Sequence, residues 1–171
     1  MLNLVIKYIL FLIFLIFFQI VVFPKIYLTE YITPFFYAAI ILTLPVFLNR
    51  YYVLTISFLV GWIMDIFYHT GGIHIASLVF IGYLRYYWLK IIEPSERYEE
   101  NQIPVMREMG RDWFLKYIIL MIFIHQFLLF TLEVFNFKYI GSILIRSFLS
   151  TLVSTFLVYI FHLIFFRPER K

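Results

Sequence analysis

The 171-residue sequence contains no cysteine and few charged side chains, and both shortages narrow what the chain can be. Without cysteine there are no disulfides, no thiolate nucleophile and no thiolate metal site. Charged residues make up 14% of the chain and apolar residues 64%, and the mean hydropathy is +0.93. Ordinary soluble domains carry about 25% charged residues, and a small globule has too much surface to hide this apolar excess. The composition therefore predicts a chain surrounded mainly by lipid.

Six apolar segments are long enough to cross a bilayer as helices, since a hydrocarbon core of about 30 Å takes about 20 helical residues. The sequence predicts an all-α integral membrane protein, a single domain of six transmembrane helices at 5–23, 31–48, 52–68, 72–92, 113–135 and 139–166. The first segment is expected to be a retained anchor, because its apolar run is long for a signal peptide and no small-residue cleavage site follows it. In the second segment Pro34 suits a first turn, whereas Pro45 predicts a kink or an early end.

Lysine and arginine fall unevenly on the two sides of these segments. If the N-terminus is cytoplasmic, the outer side holds only Lys25 and Lys138. The cytoplasmic side then holds ten basic residues: Lys7, Arg50, Lys90, Arg97, Arg107, Arg111, Lys116, Arg167, Arg170 and Lys171. Because short cytoplasmic loops are enriched in basic residues, this split predicts that both termini are cytoplasmic. It also accounts for the net charge of +4 without a nucleic-acid partner.

The loop at 93–112 mixes acidic and basic residues and contains Pro94 and Pro104. We expect a solvated linker with a short interfacial helix after Pro104. The alternative is a docking surface for a cytoplasmic partner.

Charged residues are few inside the predicted segments, because a charge at the bilayer centre costs about 2.5–3.5 kcal/mol on insertion scales. Asp65, Glu133 and Arg146 all fall in the outer half of the membrane in this topology. Arg146 can therefore pair with Asp65 or with Glu133, which lowers the cost for both partners. The pair is expected to fix helix packing; a substrate or proton site and an interface with another membrane protein are the alternatives.

Histidines and hydroxyl side chains predict packing rather than catalysis. His69 and His74 bracket a glycine turn and do not form the i, i+4 pair of a zinc-binding helix, and His125 is expected to bond between helices. Polar residues share one face of the last segment: Ser147, Thr151, Ser154 and His162. Small polar residues at that spacing are typical of close helix packing. The sequence predicts no catalytic, metal or cofactor-binding residues.

The turn between the third and fourth segments carries a family resemblance. Gly61 precedes Asp65 by one helical turn, and Gly71 and Gly72 lead into the next segment. This stretch resembles the signature of the MreD family of rod shape-determining membrane proteins, although His74 stands where the family often has a small or polar residue. On physical grounds, Gly61 lets a neighbouring helix come close, and Asp65 can bond to the backbone of the turn.

The resemblance implies a fold similar to the six-helix substrate-binding components of energy-coupling vitamin transporters, and a non-enzymatic role in the bacterial cytoplasmic membrane. It implies association with MreC, a single-span protein, and links to MreB filaments, the glycosyltransferase RodA and a class B transpeptidase. The expected function is a scaffold for cell-wall elongation and rod shape. The alternatives are a small-molecule transporter component, disfavoured because segment 5–23 lacks the alanine and glycine such components use for docking, and a membrane enzyme acting on a lipid-linked substrate.

Overall fold

The computed structural model of the chain describes residues 10, 12–22, 31–99 and 102–165, and every regular element among them is a helix. The elements are α1 (Leu12–Val22, with a π-helical end at Phe18–Val22), α2 (Ala39–Leu42), α3 (Arg50–Tyr68), α4 (Ile73–Ile91), α5 (Met106–Met109), α6 (Arg111–Val134), a 3₁₀ turn (Phe137–Tyr139) and α7 (Ile140–Phe165). Within the described ranges, three stretches are long and apolar enough to cross a membrane: α3, α6, and α7 with its preceding turn. The prediction of an all-helical chain of membrane type is therefore confirmed.

Four of the predicted segments coincide closely with helices. Segments 52–68, 72–92 and 113–135 differ from α3, α4 and α6 by at most two residues at either end, and segment 139–166 corresponds to α7. The prediction for 5–23 falls partly outside the described residues, as does the basic C-terminal tail. Within the described part of that first segment, α1 is helical.

The membrane-spanning helix predicted at 31–48, with a kink or early end at Pro45, is not found as a helix of that length. Only the four residues of α2 are α-helical there, and the surrounding chain is irregular. Pro34 lacks an N–H and Pro45 interrupts the helix that would follow α2. The segment nevertheless lies at the centre of the molecule, because every residue from Phe35 to Leu44 is buried.

Side chains from other elements satisfy the backbone of this irregular segment. The Gln19 amide accepts a hydrogen bond from the Phe36 N–H at 3.1 Å and donates one to the Pro34 carbonyl at 3.3 Å. At the far end, the Tyr117 hydroxyl donates to the Leu42 carbonyl at 3.0 Å. Non-helical backbone is tolerated at membrane depth only where protein groups bond to it in this way.

Two antiparallel hairpins, α3–α4 and α6–α7, enclose the segment and have their turns at the same end. At the opposite end the Trp113 indole N–H donates to the Ile92 carbonyl at 2.9 Å, and the Val46 N–H donates to the Gln102 carbonyl at 2.8 Å. We call these two ends the turn end and the loop end. The segment after Thr33 runs from the turn end, where the Thr33 N–H bonds to Ser150 Oγ at 2.9 Å, to the loop end at Val46.

The 93–112 loop folds back onto the loop end. The short helix expected after Pro104 is present as α5, and α6 begins at Arg111, slightly earlier than predicted. The Glu108 carboxylate accepts a hydrogen bond from the Ile103 N–H at 2.6 Å. Burial raises the pKa of Glu108, and the bond to Ile103 opposes that rise. At this point the loop is therefore folded by hydrogen bonds and is not a free linker.

Candidate functional site

Asp65 lies at the last turn of α3 and ties the α3–α4 hairpin together. Its Oδ1 accepts hydrogen bonds from Thr70 Oγ1 at 2.6 Å and from the His74 N–H at 3.1 Å, and its Oδ2 accepts one from the Ile75 N–H at 3.0 Å. The residue is 7% exposed. All three donors belong to the hairpin itself, so the carboxylate bonds the end of one helix to the start of the next.

This bonding replaces a missing helix cap. The N-cap of α4 is Gly72, which has no side chain to accept the free N–H groups of the first turn. Those groups belong to His74 and Ile75, and Asp65 accepts both from across the turn. A negative charge at this position is also favoured by the partial positive charge of the helix N-terminus. Gly72 adopts a φ of +99°, which an L side chain rarely adopts, so glycine suits this turn.

Gly61 permits the close contact of α3 with α4. A Cβ at this position would lie 2.6 Å from Ile75 Cα and 2.9 Å from the Ile75 backbone nitrogen. These neighbours are backbone atoms, which cannot rotate away. The sequence expectation that Gly61 allows close helix approach beside Asp65 matches this geometry.

The structure pairs Arg146 with Glu133 and resolves the alternative left open by the sequence. Arg146 Nη1 donates to Glu133 Oε2 at 2.9 Å, and Nη2 donates to Thr33 Oγ1 at 3.2 Å. The guanidinium carbon also lies 4.1 Å from the centre of the Phe130 ring, a cation–π contact. Asp65 and Arg146 form no ion pair in the described part of the chain. The pair joins α6, α7 and the start of the irregular segment at the turn end.

We expect the energies of Glu133 and Arg146 to be coupled. Glu133→Gln and Arg146→Gln should each lower the free energy of unfolding by about 1–2 kcal/mol, less than for a fully buried pair because both side chains are partly exposed. The double variant should be destabilised little more than either single variant, because the second change removes a charge that already lacks its partner. Thermal unfolding of the three variants in detergent measures this. Strictly additive losses would show that the two side chains do not act as a pair.

Deeper in the bundle, Tyr37 bridges two buried histidines. Its hydroxyl lies 2.5 Å from His74 Nδ1 and 3.2 Å from His125 Nε2. Ser77 Oγ lies 3.4 Å from the same nitrogen of His125. The expectation that His125 bonds between helices agrees with these contacts. Among the described residues, no three His, Cys, Asp or Glu side chains are grouped as metal ligands.

Sequence reasoning missed several of the interior polar residues. Gln126 Nε2 donates to Ser154 Oγ at 2.6 Å and is fully buried, so the small polar face predicted for α7 meets a polar partner on α6. Gln19 holds the irregular segment, as described above. Arg85 is 2% exposed in the middle of an apolar stretch of α4. A charged residue inside a predicted membrane segment is the signal that could have identified Arg85, and the same signal identified Asp65.

Comparison with known proteins adds no relative: no family model matches the chain, and neither a curated protein nor a solved structure matches it.

Proposed function

We propose that this chain is a multi-pass membrane protein that works as a non-enzymatic scaffold, through helix contacts with other membrane proteins. The observation that carries this proposal is the bonding of Asp65, whose two oxygens are both occupied by donors of its own hairpin. A general acid or base needs a carboxyl group within reach of a substrate proton. Glu133 accepts a hydrogen bond from Arg146 at its Oε2 and so joins α6 to α7. Both carboxylates thus hold helices together.

More specifically, we propose a role like that of MreD in bacterial cell-wall elongation. The chain would bind an MreC-like single-span protein and help connect MreB filaments to RodA and a class B transpeptidase, thereby maintaining rod shape. Support comes from the stretch that resembles the family signature. Gly61, Asp65 and Gly72 are the residues that fix the α3–α4 hairpin, and a signature of this kind suits a protein whose work is to present a fixed surface.

The exposed faces of the long helices suit contact with lipid or with a partner helix. On α7, Leu144, Phe148, Leu152 and Phe156 recur at every fourth residue and are 44–62% exposed. Residues at this spacing form one apolar stripe. Such a stripe is stable in a bilayer and offers a surface to the helix of a single-span protein.

We further propose six membrane crossings in the bacterial cytoplasmic membrane, with both termini in the cytoplasm. The second crossing would be the irregular segment at 31–48, which runs from the turn end to the loop end. The distribution of basic residues supports the orientation, because Arg50, Lys90 and Arg111 lie at the loop end and Lys138 lies at the turn end.

A cysteine-labelling experiment tests this orientation on a chain that has no cysteine of its own. Lys138→Cys, between α6 and α7, should react in intact cells with a maleimide that cannot cross the membrane. Glu96→Cys, in the cytoplasmic loop, should react only after the membrane is made permeable. Both positions are exposed in the fold, so access to the reagent decides the result. Labelling of Glu96→Cys in intact cells would show that the proposed topology is inverted or wrong.

Depletion of the protein in its rod-shaped host tests the scaffold role. We expect cells to become round and the level of the MreC-like protein to fall, because that protein loses its membrane partner. Re-expression of the chain should restore both. Cells that keep their shape and their MreC level after depletion would refute the proposal.

A further inference from the structure

A cavity of about 160 Å³ lies at the loop end, between the start of α3, the last turns of α4 and the chain at 46–48. Most of its wall is apolar, and Val46, Val53 and Leu89 contribute to it. Four charged residues are also among the described lining residues. A mainly apolar cavity with charged residues in its lining differs from the fully bonded surroundings of Asp65.

Arg85 lines this cavity and is only 2% exposed. Its Nη2 donates to the carbonyls of Leu44 and Pro45, the latter at 3.2 Å. Its Nε is buried and has no hydrogen-bond partner. In the described residues no carboxylate forms an ion pair with Arg85. A buried cation without a counter-ion is costly, and carbonyl dipoles compensate for only part of its charge.

Most of the charged residues in the cavity lining are basic. Arg50, at the first residue of α3, and Lys90, near the end of α4, both line the cavity and are exposed. Among the residues that the structure describes, Glu93 is the only acidic side chain in the lining. Three cations against one carboxylate leave the described lining with a net charge of +2, and wall atoms of low polarity strengthen the field inside a cleft.

The volume limits what can enter. A cavity of about 150 Å³ accommodates a molecule the size of benzene, whereas drug-sized ligands occupy pockets of about 300–1,000 Å³. The cavity at 160 Å³ thus suits a small anionic group and not a whole vitamin. Arginine binds phosphate oxygens through paired N–H donors, which makes phosphate the anion best matched to Arg85.

We propose that this cavity binds a phosphate group, with Arg85 as the buried partner and with Arg50 and Lys90 at the mouth. The apolar wall and the position at the helix ends favour the headgroup of an anionic membrane lipid as its source; free phosphate is the other source of the same chemistry. This site is independent of the proposed scaffold role, because it depends only on the charges and shape of the loop end.

Reconstitution of the purified full chain in nanodiscs tests the site. In phosphatidylcholine discs, adding phosphatidylglycerol should raise the unfolding temperature of the wild type. Arg85→Gln should remove that rise, and in lipid titrations followed by native mass spectrometry it should weaken phosphatidylglycerol binding about tenfold, the loss of about 1.4 kcal/mol for one charge-assisted contact. Inorganic phosphate added to phosphatidylcholine discs separates the sources: a rise with phosphate alone assigns the cavity to free phosphate, and a rise with the lipid alone assigns it to the headgroup.

Arg111→Gln is the matched control, because Arg111 is also a basic residue at the loop end but is exposed and paired with Asp112. It should respond to phosphatidylglycerol like the wild type. If Arg85→Gln does not fold, the double variant Arg50→Gln with Lys90→Gln, which changes only exposed side chains, should show the same weakening. The proposal is overturned if neither phosphatidylglycerol nor inorganic phosphate stabilises the wild type. An equal loss in Arg111→Gln would also overturn it by showing general attraction of a basic surface.

Discussion

Asp65→Ala should lower the free energy of unfolding by about 3 kcal/mol, because the N–H groups of His74 and Ile75 lose their acceptor at about 1–3 kcal/mol each. Thr70 loses its partner at the same time. The N-cap residue cannot accept these hydrogen bonds instead, because Gly72 has no side chain. Thermal unfolding of the purified protein in detergent measures the loss.

Two variants bracket this expectation. Glu108→Ala removes a loop carboxylate with a single backbone bond, and burial already raises the pKa of Glu108, so its ionised form is less well stabilised there. Its unfolding temperature should fall less than that of Asp65→Ala. Asp65→Asn keeps one acceptor oxygen, so its unfolding temperature should lie between those of Asp65→Ala and Glu108→Ala. Equal melting temperatures for Asp65→Ala and Glu108→Ala would show that the hairpin does not need its cap.

Gly61→Leu should separate α3 from α4 and destabilise the protein by at least about 3 kcal/mol, at or above the usual range for overpacking. The reason is geometric: the first side-chain carbon would already lie 2.6 Å from Ile75 Cα, a backbone atom held by the helix. The yield of monodisperse protein and its melting temperature are the readouts. Gly61→Ala should give a smaller loss in the same direction.

Gly141→Ala is the matched control for the glycine change. Gly141 lies in the first turn of α7, and a Cβ there meets no atom within 4 Å. Since alanine favours helix over glycine by up to about 1 kcal/mol, the melting temperature should stay the same or rise slightly. A loss at Gly61→Leu no larger than at Gly141→Ala would show that the close helix contact does not contribute to stability.

The hairpin was predictable from sequence because its determinants are local. Gly61 and Asp65 are four residues apart on one helix, so they lie on the same face, and the turn at Gly71 and Gly72 fixes the direction of the next helix. Asp65 contacts residues only five to ten positions away. Spacing along the chain is sufficient information for such contacts.

The segment at 31–48 was not predictable in the same way, because its conformation depends on distant partners. Apolar composition and length favour a helix there, and Pro45 predicts only an early end. What holds the irregular backbone is the side chain of Gln19, the hydroxyl of Tyr117 and the guanidinium of Arg85. These groups come from three other helices, and hydropathy carries no information about them.

The pairing of Arg146 shows an intermediate case. Depth in the membrane reduced its partners to Asp65 and Glu133, but the choice needed the packing of α6 against α7. Thr33, more than a hundred residues away in the chain, supplies a further hydrogen bond to the guanidinium. The depth of a residue in the membrane can be predicted from its position in an apolar segment. The side chains that its helix face meets depend on how the helices pack.

We propose that the carboxylates within the helices hold the bundle together and take no part in catalysis. The most direct measurement is whether a variant combining Asp65→Asn with Glu133→Gln, present as the only copy and at a normal membrane level, maintains rod shape in the host. We predict that it does, with weaker retention of the MreC-like partner on purification. A variant that folds and binds its partner normally but leaves the cells round would contradict the claim and indicate catalysis.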